Sequence, residues 1–129
     1  MTDSPFVAKK TGIRHLAAAA GYSTGGARRL IQEAAARHEI AAYCTAMLFF
    51  ALIGARPVHY LVLTALFLVL LAVEALNTAV EEIVDHISRD YSSAARNAKD
   101  LGSFAVLCLL GINAVFVIYV AAQLLIRNG

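Results

Sequence analysis

Charge is scarce in this chain. Of its 129 residues 16% are charged and 60% are hydrophobic, against about a quarter charged and nearly half apolar in an ordinary soluble domain. The apolar residues are also gathered into runs. One domain is the natural reading at this length, yet a soluble core this small could not absorb three such runs, whereas a bilayer can. Cysteine is equally sparse: Cys44 and Cys108 each fall inside an apolar run, which predicts small buried hydrophobes and neither a disulfide framework nor a metal cluster. No phosphate-cradling glycine motif is present, since Gly25-Gly26 stands alone. A cleavable signal is missing too: residues 1–39 mix acids and bases without a short apolar core and a small-residue cleavage site, so the first apolar run is expected to stay as a membrane helix. There is no internal repeat, and no low-complexity segment beyond Ala17–Ala20. His15, His38, His59 and His86 lack ligand spacing and read as solvated or interfacial.

What charge there is lies asymmetrically. Lys9, Lys10, Arg14, Arg28, Arg29 and Arg37 precede the first run, and Arg89, Arg96 and Lys99 lie between the second and third. Only Arg56 and Arg127 flank the opposite ends. Nine basic residues against two put the N-terminus in the cytoplasm and the C-terminus outside by the positive-inside rule. The basic N-terminal segment has no aromatic interleaving or fold signature that would suit nucleic acid, so none is expected as a partner.

Along the chain, residues 1–12 read as a mobile leader. Residues 24–38 read as an amphipathic surface helix, capped by Ser23 or Thr24, with Ala27, Leu30, Ile31, Ala34 and Ala35 at helical spacing. Transmembrane helices are expected at about 40–54, 60–80 and 101–126, with a turn at Gly54-Ala55-Arg56-Pro57 and a loop from His86 to Asp100. The fold class is therefore all-α membrane: three spanning helices plus an N-terminal surface helix. Asn113 and Gln123 in the last span read as polar contacts between helices.

The second span carries the chemistry. At about 100° per residue, Glu74, Glu81 and Asp85 fall within about 20° of one line, with Asn77 and Thr78 to either side and Glu82 off the stripe. If Tyr60 marks the outer edge, Glu74 lies about 21 Å in and Glu81 about 31 Å in, against a hydrocarbon core of about 30 Å. Glu74 thus sits just inside the cytoplasmic interface, where a lipid hydroxyl rests, while Glu81 and Asp85 reach water. A carboxylate in a spanning helix costs about 2.5–3.5 kcal/mol at the centre, and one held out of water is a stronger base than one in solution. A base at lipid depth beneath a metal site open to water is the arrangement this suggests, with Glu81 and Glu33 as ligands for Mg²⁺, which takes one or two carboxylates beside phosphate oxygens; the residues alone do not identify a nucleotide. The plainer alternative is that Glu74 and Asn77 only join helices, at about 0.6–2 kcal/mol a contact.

The run Val73-Glu74-Ala75-Leu76-Asn77-Thr78-Ala79-Val80-Glu81 with Asp85 closely resembles the E-x-L-N-[ST]-A-[IV]-E signature of prokaryotic diacylglycerol kinases. Ala98-Lys99-Asp100-Leu101-Gly102-Ser103 and Glu33-Ala34-Ala35 with Arg37 and Glu39 resemble two further family segments. The resemblance spans about residues 12–129. It implies a homotrimer of the bacterial inner membrane, with composite sites between subunits, that transfers the ATP γ-phosphate to the primary hydroxyl of diacylglycerol to give phosphatidate. It implies Glu74 as base supported by Asn77, and Glu33 and Glu81 on the metal–ATP. Asp85, Tyr91, Lys99, Asp100 and Tyr22 would border the nucleotide, Arg14 would lie near phosphate or lipid, and Ala35 and Glu39 would border the lipid together with Glu74. Ala36 and His38 depart from the usual Phe and Gln, and Gly21-Tyr22-Ser23 sits one residue late.

Two other readings compete. An undecaprenol kinase of the same family usually carries E-x-N-F after the surface helix, where this chain has Glu33-Ala34-Ala35-Ala36. A small proton-coupled transporter or membrane scaffold would place Glu74 nearer midspan and would need no column of acids running outward from it.

Overall fold

The computed structural model describes residues 12–87 and 92–128. Within them the chain forms four α-helices and no strand: α1 (Ile13–Gln32), α2 (Ala34–Leu52), α3 (Pro57–Ile87) and α4 (Ser93–Asn128). Two stretches, Pro57–Ile87 and Ser93–Arg127, are long and apolar enough to cross a membrane. α2 carries Arg37, His38 and Glu39 in its first two turns, so its apolar stretch is shorter. The expected leader lies outside the described residues except for Gly12, whose φ of 68° only glycine adopts at little cost.

The surface helix differs from expectation at both ends. It starts at Ile13, ahead of the expected 24–38, and runs through Gly21, Gly25 and Gly26. Thr24 is no cap: its hydroxyl donates to the Ala20 carbonyl at 2.8 Å within the helix. The helix then breaks at Glu33, an extended residue (φ −72°, ψ 135°) that ends α1 and starts α2. Nothing in Gln32-Glu33-Ala34-Ala35 disfavours helix. The break is tertiary, and Arg37 secures it by reaching back from α2 to donate to the carbonyls of Gln32 (2.6 Å) and Ile31 (3.2 Å), two of the groups a helix end leaves unpaired.

The turn between α2 and α3 follows its local chemistry. Gly54 has φ 70°, and the Ala55 amide donates to the Phe50 carbonyl at 2.9 Å, the Schellman closure that favours glycine. Pro57 opens α3, where its missing N–H costs nothing. His59 accepts from the Arg56 amide through Nδ1 at 3.1 Å, filling the role a Glu or Gln plays in a capping box. It is buried, a correction to the solvated or interfacial role expected of it.

The expected loop from His86 to Asp100 is largely helix: α3 continues to Ile87 and α4 begins at Ser93. The Ser92 hydroxyl accepts from the Ala95 amide at 3.1 Å, an N-cap that lets Ala94, Ala95 and Ala98 extend the helix ahead of the span. Asn113 on α4 donates to the Leu66 carbonyl of α3 at 3.4 Å and to Leu109 at 2.9 Å, a contact between helices as expected.

The apolar core sits at the turn end of the bundle, where Phe50, Leu63, Val120 and Leu124 bring α2, α3 and α4 together. Toward the other end the helices part around a cavity of about 540 Å³, walled by Tyr43, Phe67, Leu70 and Val117 among others, with Glu39 in its lining. Both cysteines are free and exposed, on outward faces of α2 and α4, rather than buried as expected.

Candidate functional site

At the acidic end α3 turns Glu74, Asn77 and Thr78 inward, all buried, while Glu81 one turn on is half-buried. Asn77 Nδ2 donates to Glu81 Oε1 at 3.0 Å, so the amide orients the carboxylate that follows it on the same face. Asn77 Oδ1 is buried without a partner. Against this amide lies Gly102 of α4: a Cβ at that position would collide with Asn77 Oδ1. The glycine is what lets α4 approach α3 here, which gives a physical reason for its place in the Lys99-Asp100-Leu101-Gly102-Ser103 segment.

Charges from two other elements converge on this column. Glu81 and Glu33 are the acids whose charges Glu74 feels, and Glu74 is the one felt by Glu39. Glu39 is buried on α2, and its Oε2 has no hydrogen-bond partner among the described residues. The cavity has Glu39 in its wall, and Glu74 lies one turn of α3 beyond Leu70 of its lining.

Glu33, at the α1–α2 corner, is half-buried and tied by Arg29. The guanidinium donates through Nη1 to Glu33 Oε1 at 2.5 Å and through Nε to Glu82 Oε1 at 2.5 Å. The bond to Glu33, with that to Glu82 after it, raises the Arg29 pKa above its ordinary value. Farther out, Lys99 of α4 pairs with Asp85 of α3, and Arg96 with Asp100 one turn along α4 at 3.7 Å.

Of the residues singled out in the sequence, the structure gathers Glu33, Glu39, Glu74, Asn77 and Glu81, with Asp85 and Lys99 paired at the margin. Asp100 is exposed and engaged within its own helix. Arg14 lies exposed on the first turn of α1 and Tyr22 exposed near its middle, and among the described residues neither bonds to the acidic groups. Ala35 is exposed on the first turn of α2. Tyr91 lies outside the described residues. Three participants were missed. Arg29 had a visible signal in its i, i+4 spacing to Glu33. Glu82, read as off the stripe, has a partner on another helix that no local pattern reveals, and Gly102 shows its role only once α3 and α4 are packed.

Among the described residues no three His, Cys, Asp or Glu side chains are close enough to form a metal site of their own. A partial site of two carboxylates is what Mg²⁺ uses when phosphate oxygens complete its shell. Glu33 and Glu81 are the pair that could fill it: among the described residues the hydrogen bond to each engages Oε1.

Comparison with known proteins gives one consistent result. The family model described as prokaryotic diacylglycerol kinase matches residues 21–121. A diacylglycerol kinase of Sinorhizobium sp. is 56% identical over 114 residues, 88% of this chain and 83% of that protein. The diacylglycerol kinase of Escherichia coli K12 is 37% identical over 98 residues, covering 75% and 80%, and that of Haemophilus influenzae is 33% identical over 108 residues, covering 81% and 92%.

Proposed function

The chain belongs to the prokaryotic diacylglycerol kinase family and acts as a kinase on diacylglycerol, and on that premise we propose how its residues do so. The γ-phosphate of ATP passes to the primary hydroxyl of diacylglycerol, giving phosphatidate, with Glu74 as the base that takes the hydroxyl proton. One observation carries this: Glu74 is buried one turn of α3 beyond Leu70, which lines an apolar cavity together with Glu39, and it shares a helix face with a half-buried Glu81 that Asn77 orients.

Each residue then has a part. An acyl chain lying in the cavity between α2, α3 and α4 brings the lipid hydroxyl to Glu74, and Glu39 offers a second acceptor beside it. Glu33 and Glu81 would hold Mg²⁺ arriving with ATP, which neutralises charge on the transferring phosphoryl group. Asn77 keeps Glu81 turned toward that site. Lys99, held by Asp85, supplies positive charge at the outer margin where the polyphosphate would lie. Most of the catalysis in phosphoryl transfer is positioning and electrostatics, and these residues provide both.

The same reading extends to the setting. α2 forms a third span with α3 and α4 in the bacterial inner membrane, the acidic end faces the cytoplasm, and α1 lies on the membrane surface, where Ile13, Leu16 and Ile31, exposed in the single chain, meet lipid. The protein works as a homotrimer. Support comes from α4, whose Phe104, Leu107, Ile112 and Val115 are exposed and available to other copies or to lipid.

The test is a phosphate-transfer assay in mixed micelles, with diacylglycerol or undecaprenol as acceptor, on wild type and Glu74→Gln. Wild type should label diacylglycerol, and Glu74→Gln should lose at least about 10²-fold in turnover with the oligomer intact by sedimentation. Normal phosphorylation by the variant would refute the base assignment. Loss of the oligomer would make Glu74 a structural contact, and label only in undecaprenyl phosphate would overturn the substrate.

A further inference from the structure

α1 buries none of its residues fully; Ala18, Ala19 and Leu30 are half-buried, so apolar packing of this helix against the rest of the chain is slight. Among the described residues a single side-chain tie joins these two helices, the Arg29–Glu82 pair. The same guanidinium holds Glu33, which is the one non-helical residue between α1 and α2. Arg37 fixes the angle of that corner through the carbonyls of Ile31 and Gln32, but both of its bonds stay within α1 and α2 and leave the seat of the corner on α3 undetermined. Glu82 is turned about 100° from Glu81, away from the column, and Arg29 is its recorded partner.

We infer that Arg29 is a positioning residue for the nucleotide half of the reaction, strapping the α1–α2 corner to α3 so that Glu33 stays aimed at Glu81. This rests on the reading of Glu33 and Glu81 as holders of metal–ATP. The chemistry of the fork explains why arginine suits the task. Nε and Nη1 are separate donors fixed in one plane and can grip two carboxylates at once, whereas a lysine ammonium is a point charge on a flexible stem. The members of the strap are partly exposed, so each tie is modest and salt-sensitive.

The experiment uses the full chain in lipid nanodiscs and follows two readouts: steady-state kinetics against MgATP, and backbone amide exchange in residues 21–32 without nucleotide. Glu82→Gln and Arg29→Gln should each raise KM for MgATP by about three- to fivefold at little-changed kcat, the size expected for one partly exposed ion pair, and should speed amide exchange in α1. Arg29→Lys should behave nearly as Arg29→Gln. The two neutral changes together should do no more than Arg29→Gln alone, because they cut the same strap. The charge swap Arg29→Glu with Glu82→Arg should recover most of both readouts, since an arginine at 82 can face both acids of the corner. Unchanged KM and exchange in Glu82→Gln would overturn the inference, as would a swap no better than either single change or a loss confined to kcat. Failure of the underlying reading looks different: Glu81→Gln with a normal MgATP dependence removes the metal–nucleotide assignment, while amide exchange still reports whether the strap exists.

Discussion

The two ends of the bundle are built on opposite principles. At the turn end, Phe50 lies fully buried against Leu63, Val120 and Leu124, with Tyr60 and Phe116 edge-on to its ring at centroid distances of 5.9 and 6.2 Å. Cohesion there is spread over many weak, non-directional contacts. At the acidic end the polar groups Glu39, Glu74, Asn77 and Thr78 are buried beside the apolar Ala36 and Val106, and the helices are also joined by a few directional bonds such as Arg29–Glu82 and Lys99–Asp85. The first arrangement tolerates small errors of shape and stores stability. The second holds particular atoms in particular places, and between it and the core the helices leave a cavity.

If that division is real, substitutions at the two ends should fail in different ways. The largest effect is expected for Phe50→Ala, at roughly 3 kcal/mol of stability by detergent-induced unfolding. That is the low end for such a truncation, because lipid is as apolar as the core and mainly the packing component is lost. Turnover per folded molecule should not change, and a matching loss of KM or kcat would break the comparison. Gly102→Ala comes next. Its new Cβ displaces the Asn77 amide from Glu81, so kcat should fall about tenfold, equivalent to about 1.4 kcal/mol, with a smaller change in unfolding. A variant that lost stability alone would show that Gly102 serves packing and not the orientation of Glu81. The smallest effect should fall at the boundary between the ends, where the Tyr43 hydroxyl bonds to Thr64 at 2.8 Å and its ring stacks on Phe67 at 4.1 Å. Tyr43→Phe keeps the stack and should cost about 0.5–1.5 kcal/mol of stability with no change in kcat.

The same division explains what could be read from the sequence. Helical periodicity placed Glu74, Asn77 and Glu81 on one face, and that face is the one α3 turns inward. The Gly54-Ala55-Arg56-Pro57 turn was legible because its chemistry is local. Glu33 was legible as a candidate metal ligand on the first helix and as part of a family segment. That it forms a corner depends on Arg37 reaching two carbonyls and on Arg29 reaching another helix, and periodicity carries neither fact. His59 was misjudged for a similar reason: a buried capping role depends on the backbone amide beside it, which a search for ligand spacing ignores. The extension of α4 back to Ser93 was missed because charge in Arg96, Lys99 and Asp100 was read as loop, although the Ser92 cap and the alanines around it favour helix.

The single-residue corner at Glu33 has a mechanical consequence. On the proposed reading of α2 as a third span, its 19 residues make about 28 Å of helix, against the roughly 30 Å of a typical hydrocarbon core. With no loop to absorb motion between α1 and α2, any tilt that α2 adopts to match a thinner or thicker bilayer is passed directly to the carboxylate at its head. Membrane thickness would then be a lever on the proposed site, acting through the corner before any substrate has bound.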